Sequence, residues 1–246
     1  MNRNSVHRSF VIVDIEKFGR RADTDQRWLR RQMYEILRNA MSDTGIDWET
    51  CHRQDAGDSV ILLVPAETSK MLVTDTFVGR LDRELAGYAR RSNESVRLRM
   101  RLALHAGEVT QDEHGWVGSD LNTACRLVDL QQARDALSDT PDANLVLVVS
   151  HLWYSSVVLQ DPVLVEHFGF EQIPFVAKEI DSHAWLHIKG KEHPAAERPT
   201  APPAASMPAS GASAPTGGIH FHGPVHKVGD PVQGDKTQVT FVRSDD

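Results

Sequence analysis

Two short segments of this chain each place an aspartate at the end or turn of an apolar strand, and they constrain the fold more than any other feature. SFVIVDIEKF carries Asp14, and RQDAGDSVILL carries Asp58. Because strands that follow one another in a chain usually lie side by side, we expect the two carboxylates to converge. Such a pair, with open positions for water and phosphate oxygens, suits Mg²⁺. The alternative is that Asp14 caps the next segment and Asp58 shapes a turn, where aspartate is common.

Hydrophobic periodicity predicts strands and helices around these aspartates. Residues 9–13 are apolar on both faces, as in a strand that is covered on both sides. Apolar residues recur at intervals of three and four over 25–42, which predicts an amphipathic helix. The other predicted elements are strands at 48–54 and 59–64, a helix around 77–88, strands at 96–104 and 107–110, a helix at 121–130, a strand at 145–149, a short helix, and strands at 175–178 and 185–188.

Basic residues alternate with apolar ones between residues 96 and 105. This period of two predicts a half-buried strand with a basic outer face, formed by Arg97, Arg99, Arg101 and His105. The arginines could raise the local potential for an anionic substrate, or they could simply be a solvated face.

The order of the predicted elements indicates an α+β fold of the ferredoxin-like kind, with a mainly antiparallel sheet and helices on one face. A content of 40% hydrophobic residues in 246 is enough for a real core. We expect this domain to span residues 1–190. Residues 191–218 are rich in Pro, Ala, Ser and Gly and predict a flexible linker. Residues 219–246 predict a short β-like tail that could bind a protein partner or self-assemble.

Composition excludes several classes of protein. A net charge of -7 argues against binding to nucleic acid, which depends on Lys and Arg. Cys51 and Cys125 form no CxxC motif, so neither a disulfide framework nor a structural zinc is expected. The chain has no apolar segment near the roughly 20 residues that span a bilayer and no signal peptide. We therefore expect a cytoplasmic protein without membrane association.

A third segment carries further polar residues with a regular spacing. In GWVGSDLNTACRL, Asn122 and Arg126 are four residues apart, so on a helix they share one face. An amide and a guanidinium in this arrangement can hold a sugar oxygen and a phosphate oxygen together. The alternative is that Asn122 is a polar residue of the first turn and Arg126 an exposed helix charge.

Taken in order, DIEKF, GDS before an apolar strand, LHAGEV and GSDLNTACRL resemble the catalytic domain of class III nucleotidyl cyclases, over about residues 10–188. The resemblance implies a homodimer with active sites shared between subunits, which cyclises a nucleoside triphosphate to a 3′,5′-cyclic monophosphate and releases pyrophosphate. It implies two Mg²⁺ or Mn²⁺ ions per site, bound by Asp14, Ile15 and Asp58. Asn122 and Arg126 would be the catalytic residues, contributed by the other subunit.

The resemblance also implies residues that contact the substrate. Backbone amides from Ile15 to Phe18 would approach the phosphates, and Phe18 would form a wall beside them. The remaining implied substrate contacts are Gln54, Gly57, Trp116 and Lys178. Lys178 corresponds to a lysine of the family that binds the triphosphate, and its alternative is an ordinary surface lysine.

The positions that choose the base depart from the purine pattern of the family. Adenylyl cyclases of this class carry Lys and Asp where this chain has Gln54 and Gly115, and guanylyl cyclases carry Glu and Cys. Gln54 can both donate and accept hydrogen bonds, as the edge of uracil requires. The layout is similar to the bacterial pyrimidine cyclases of Pycsar antiphage defence, which favours UTP, then CTP, as the substrate. The alternatives are an adenylate or guanylate cyclase with an unusual base pocket, and a catalytically silent module that recruits a partner through its tail.

Overall fold

The computed structural model describes residues 4–177 and 180–188. The chain divides into two units, Met1–Pro199 and Thr200–Asp246, and every described residue belongs to the first. The predicted linker at 191–218 and the tail at 219–246 lie outside the described residues. None of the helices in the described part is long and apolar enough to cross a bilayer.

In the described residues, eight strands form the sheet, seven of them in the order β2, β3, β1, β4, β6, β8, β7, with β5 paired to β4 off this path. Every pairing is antiparallel except that of β4 with β6. The strands are β1 (Val6–Ile15), β2 (His52–Asp55), β3 (Ser59–Pro65), β4 (Met100–Gln111), β5 (Trp116–Val117), β6 (Leu145–Ser150), β7 (Glu171–Ala177) and β8 (Ile180–Ile188).

The α-helices are α1 (Asp23–Thr44), α2 (Lys70–Leu72), α3 (Val78–Ala89), α4 (Ser119–Val128), α5 (Gln131–Asp139), α6 (His151–Trp153) and α7 (Pro162–Phe168). Wider π-helical turns at Val73–Phe77 and Tyr154–Val158 continue α2 and α6. Single 3-10 turns lie at Phe18–Arg20, Trp48–Thr50 and Glu94–Val96.

Both faces of the sheet are covered, because alternate residues of each strand enter different cores. On β1, Val11, Val13 and Ile15 pack with helices α1 and α3 in the larger core. Phe10 and Ile12 pack on the opposite face against α4 and α5, which contribute Leu121, Ala124, Leu127, Val128, Ala133 and Leu137. The side of the sheet that carries α4 and α5 is called the α4 face below.

The predicted fold class is confirmed, and most predicted elements lie within a few residues of their places. The helices on the α4 face add a second layer that the prediction of helices on one face did not include. Helix α5 was missed, although Ala133 and Leu137 are four residues apart and both buried. The two strands predicted over 96–104 and 107–110 are one continuous strand, β4, which starts later, at Met100.

The prediction of a basic, solvated outer face on β4 was wrong, because α4 and α5 cover that face. Arg99, Arg101 and His105 are all buried. Arg99 donates from Nε to the carbonyl of Ala143 at 2.9 Å and also reaches carbonyls at the end of α5. These arginines therefore neutralise helix ends and acidic side chains within the fold.

Candidate active site

Asp14 and Asp58 come together at one end of the sheet, as their segments predicted. Antiparallel pairing of β1 with β3 sets Asp14 opposite Ser59, the residue after Asp58. The backbone N–H of Ile15 donates to the carbonyl of Asp58 at 3.0 Å. Asp14 is buried and Asp58 is partly exposed. The geometry is that of two neighbouring carboxylates, one under the surface and one at its rim.

The carboxylate of Asp14 has two side-chain partners. Ser59 Oγ donates to Asp14 Oδ2 at 2.7 Å. Arg101, directly opposite Asp14 on β4, forms a buried ion pair with Oδ1. Arg101 also donates from Nε to the carbonyl of Val128 at 3.1 Å. Asp14 is thereby connected to the last turn of α4.

Burial raises the pKa of Asp14 above its ordinary value, because the Ser59 hydrogen bond and the Arg101 charge only partly offset the desolvation. The nearby carboxylates of Asp58 and Asp129 raise it further. Asp129 is paired with Arg134, so Asp14 and Asp58 share the single guanidinium of Arg101, and this excess of negative charge favours a cation. Two adjacent carboxylates are the oxygen donors that Mg²⁺ and Mn²⁺ take, so the residues fit such an ion.

No group of three or more His, Cys, Asp or Glu side chains in the described ranges is arranged to hold a metal ion. A cation here would therefore depend on the two aspartates together with carbonyl, water or substrate oxygens. Ile15 could contribute only its carbonyl, because its hydrocarbon side chain has no ligand atom and lies in the larger core.

The loop after β1 carries part of the predicted phosphate-binding backbone. The amides of Ile15 and Glu16 are already used, by the carbonyls of Asp58 and Arg99 respectively. Those two amides therefore do not fit the predicted role, which leaves Lys17 and Phe18. Lys17 has φ 53°, a left-handed conformation that costs energy for a residue with a side chain. The ring of Phe18 is partly buried against the larger core.

Asn122 and Arg126 lie on helix α4, one turn apart, as predicted. The side chain of Asn122 is exposed and that of Arg126 is partly buried. The start of this helix is fixed to β4, since Asp120 Oδ2 accepts from the backbone N–H of Glu108 at 2.8 Å. A Cβ on Gly107 would lie 2.0 Å from Asp120 Oδ2, so this contact requires glycine. The HAGEV and GSD motifs therefore dock α4 on the sheet.

Gln54 and Trp116 lie near each other, on the α4 face. Gln54 is opposite Ile61 on the edge strand β2 and is exposed. His52, two residues earlier on the same face, lies beside Trp116, with 5.0 Å between ring centroids. Asp14 is two strands from Gln54, roughly 10 Å away. Within one subunit, Gln54 and Trp116 therefore lie on either side of His52, and Trp116 also lies beside Arg8, 6.0 Å from its ring, away from the aspartates.

Two further predicted substrate residues have different outcomes. Gly57 lies in the turn between β2 and β3 with φ 85°, a conformation that favours glycine. Lys178 lies outside the described residues.

The structure adds site residues that the sequence did not single out. Arg101 was predicted to lie on a basic outer face, and Ser59 was predicted only as the first residue of a strand. Asp55 was also missed, and it bonds to Tyr34 at 2.7 Å and to Arg30. No signal in the sequence revealed the burial of Arg101, because alternation of charged with apolar residues is the pattern of a strand with one exposed face.

No family model matches the chain, and no curated protein matches it. Solved structures with a similar fold include the adenylate/guanylate cyclase/hydrolase from Silicibacter pomeroyi, which is 14% identical with a TM-score of 0.56, over 76% of this chain and 99% of that one. The guanylyl cyclase Cya2 is 14% identical with a TM-score of 0.54, over 76% and 93%. The catalytic core of a rhodopsin-guanylyl cyclase with converted specificity, in complex with ATPαS, is 14% identical with a TM-score of 0.52, over 77% and 100%.

The chain therefore has the fold of class III adenylyl and guanylyl cyclase domains. At this level of identity the likeness establishes the fold.

Proposed function

We propose that this chain is a nucleotidyl cyclase, a lyase that converts a nucleoside triphosphate into a 3′,5′-cyclic nucleoside monophosphate and pyrophosphate. The observation that carries the proposal is the pairing of β1 with β3, which brings Asp14 and Asp58 together in a fold shared with solved cyclase domains. Two of the similar structures contain ATPαS or GTP, which supports a nucleoside triphosphate as the substrate.

In the proposed reaction the ribose 3′-oxygen attacks the α-phosphorus. A bond forms between these atoms, and the bond from the α-phosphorus to the oxygen that bridges to the β-phosphate breaks. The hydroxyl proton passes to water, and pyrophosphate leaves with the displaced electron pair. In phosphoryl transfer the protein acts mainly by positioning and by electrostatic stabilisation.

Each half of the proposed site has its own task. Asp14, Asp58 and the carbonyl of Ile15 would hold two Mg²⁺ or Mn²⁺ ions. When bound, such ions stabilise charge on the attacking and leaving oxygens. Arg126 would neutralise charge on the phosphate, and Asn122 would orient the ribose.

We propose that the two halves come from different subunits of a homodimer. The side chain of Asn122 is exposed on α4, so it is accessible to a second subunit, which supports this arrangement. Gln54, roughly 10 Å from Asp14 across two strands, and Trp116, farther away beside Arg8, would then read the base of a nucleotide whose phosphates lie on the other subunit.

The proposed substrate is a pyrimidine nucleotide, UTP first and CTP second. Gln54 offers both a donor and an acceptor to the base edge. Trp116 offers a ring on which the base can stack, and Gly115 has no side chain for base recognition. The cyclic product would serve as a second messenger in antiphage defence. The alternative is an adenylate or guanylate cyclase with an unusual base pocket, which the names of the similar structures favour.

The test is to incubate the purified protein with ATP, GTP, CTP and UTP separately, with Mg²⁺ or Mn²⁺, and to identify products by mass spectrometry. We expect a cyclic monophosphate and pyrophosphate in equal amounts, with the highest yield from UTP. A cyclic purine nucleotide as the main product would support the proposed cyclase activity and reject the pyrimidine specificity. No cyclic product from any nucleotide with either metal would reject the enzymatic proposal.

A further inference from the structure

Asp55, three residues before Asp58, fastens the β2–β3 turn to helix α1. Its Oδ1 accepts a hydrogen bond from the backbone N–H of Gly57 at 3.0 Å. Its Oδ2 accepts from the hydroxyl of Tyr34 at 2.7 Å and from Arg30. Arg30 and Tyr34 are four residues apart and therefore share one face of α1. One carboxylate thus joins the turn to two residues of a long helix.

Tyr34 is itself held in place. Its ring packs edge-on against Trp48, with 6.3 Å between ring centroids, and contacts the larger core. Burial, together with the Asp55 carboxylate, raises the pKa of Tyr34 to about 12, so the hydroxyl remains a donor at neutral pH. Burial alone would raise the pKa of Asp55, but the bonds from Gly57, Tyr34 and Arg30 lower it. Asp55 therefore remains an ionised acceptor.

The other side of the turn is fixed to the sheet. The N–H of Ala56 donates to the carbonyl of Ser59 at 2.9 Å, and the N–H of Ile15 donates to the carbonyl of Asp58 at 3.0 Å. The backbone of Asp58 is thus held from β1 on one side and, through Gly57 and Asp55, from α1 on the other.

We propose that Asp55, Tyr34 and Arg30 form a clamp that positions Asp58 for binding a divalent cation. This inference rests on the metal-binding role of Asp58 in the proposed function. Asp55 is a positioning residue, because its carboxylate bonds to the Gly57 amide and to Arg30 and Tyr34 on helix α1. Without the clamp the turn can relax away from β1, and the two aspartates no longer present their oxygens at a fixed separation.

Positioning and folding make different contributions here. Asp55 and Arg30 are a partly exposed ion pair, with side-chain exposures of 41% and 36%, and such pairs add little to global stability. Loss of residues that orient metal ligands typically weakens metal affinity 10- to 100-fold. Asp55→Ala is therefore expected to raise the Kd for Mn²⁺ roughly tenfold, with nearly unchanged Tm. Tyr34→Phe, which removes one donor, should cause a smaller loss.

The experiment titrates Mn²⁺ alone into the full-length protein and counts free ion by electron paramagnetic resonance. The matched control is Glu49→Ala, which removes an exposed pair with Arg53, 3.4 Å apart, beside the same hairpin. Asp55→Asn keeps an oxygen that can accept from Gly57 and should recover part of the affinity. Hydrogen exchange of a peptide that covers residues 52–60 gives a second readout, and it should be faster in Asp55→Ala.

The outcomes separate the clamp from the proposed function. If Asp58→Ala loses Mn²⁺ binding while Asp55→Ala and Tyr34→Phe bind like the wild type, the clamp is rejected and the metal site stands. If Asp14→Ala and Asp58→Ala both bind Mn²⁺ like the wild type, the metal site lies elsewhere and both proposals fail. If Asp55→Ala does not fold, Tyr34→Phe decides between the first two results.

Discussion

Arg101 and Asp14 form a buried ion pair that links the candidate metal site to helix α4. Each residue is 5% exposed, and Arg101 also holds the carbonyl of Val128 at the end of that helix. One guanidinium therefore neutralises the carboxylate of Asp14 and caps the helix that carries Asn122 and Arg126. The position of Asp14 on β1 therefore depends on the position of helix α4, and the reverse.

Removal of this guanidinium should be costly. Arg101→Met leaves a buried carboxylate beside Asp58 and Asp129 without its counter-charge, so the free energy of unfolding should fall by roughly 3 to 5 kcal/mol at pH 7. Urea unfolding measures the change. The control Arg80→Met, which breaks the exposed 3.9 Å pair with Asp43, should cost about 1 kcal/mol or less.

The same variant should have a distinctive pH dependence. Without Arg101 the pKa of Asp14 rises further above its ordinary value of 3.8. An acid with a raised folded pKa stabilises the fold below its unfolded pKa, and this stability is lost as the pH rises. The defect of Arg101→Met should therefore shrink as the pH falls toward 4. A defect of constant size from pH 7 to pH 4 would contradict the assignment of the cost to an uncompensated Asp14.

Burial of His105 predicts a second pH effect. Burial lowers the pKa of His105 from its ordinary 6.5, and the carboxylate of Asp120, 3.8 Å away, does not compensate. Because the folded protein holds the neutral form, the stability from this group is present above pH 6.5 and is lost as the pH falls. His105→Gln also loses the 2.8 Å bond to Ser150 and should have a lower Tm at pH 8.

Calorimetry from pH 8 to pH 5 tests this sign. The difference in Tm between the wild type and His105→Gln should become smaller at acidic pH. Only the wild type has a buried group at position 105 that is protonated on unfolding, so only the wild type loses stability as the pH falls. His151→Gln, which changes an exposed histidine in the adjoining helix, is the control and should follow the wild type. A gap that widens toward acid would reverse the assignment.

Periodicity predicted the elements with long, regular patterns. The helix predicted over 25–42 is Asp23–Thr44, because its apolar residues recur at helical spacing from Leu29 to Met41. Helix α5 was missed because Ala133 and Leu137 are its only fully buried apolar residues, too few for a periodic signal. The start of β4 could not be predicted from the sequence. Val96 to Arg99 continue the alternation of apolar and basic residues, but they precede the strand and begin in a 3-10 turn.

The parts of the site that depend on local sequence were predictable. The parts formed by segments far apart in the chain were not. Asp14 and Asp58 could be found because each ends an apolar strand and the two strands pair. The Asp55 clamp could not, since Arg30 and Tyr34 are 25 and 21 residues from Asp55 in the chain and only tertiary packing brings them together. The role of Arg101 depends on α4, whose packing over β4 turns an apparently exposed charge into a buried one.

Gln54→Lys should change the preferred base. Lysine donates hydrogen bonds but accepts none, so it loses the acceptor that could bind the N3–H of uracil. Under the proposed function, the ratio of kcat/KM for UTP to that for ATP should fall roughly tenfold, the scale of one polar contact to a base. The control for the added charge is Gln160→Lys, which changes an exposed residue far from Gln54 in the sequence. An unchanged ratio would remove Gln54 from base recognition.

Deletion of residues 191–246 should leave the cyclase reaction intact. The described sheet and both cores lie within residues 4–188, and every proposed site residue precedes residue 179. We expect kcat for the truncated chain to be within about twofold of the full chain, because positioning by the sheet is unchanged. If activity is kept but a captured protein partner is lost, the tail is a recruitment segment. Loss of turnover would assign the tail a part in the catalytic domain.

Subunit mixing tests whether the active site is shared. Asp58→Ala and Arg126→Ala damage different halves of the proposed site, so a hybrid dimer keeps one intact site and one doubly damaged site. With free exchange, half of the dimers in an equal mixture are hybrids, and recovered activity should be about a quarter of the wild type. The control is a mixture of Asp14→Ala with Asp58→Ala. Because both changes lie in the same half, no hybrid contains an intact site and no activity should return. If light scattering shows dimers and labelled subunits exchange, but neither mixture recovers, both halves of the site belong to one chain.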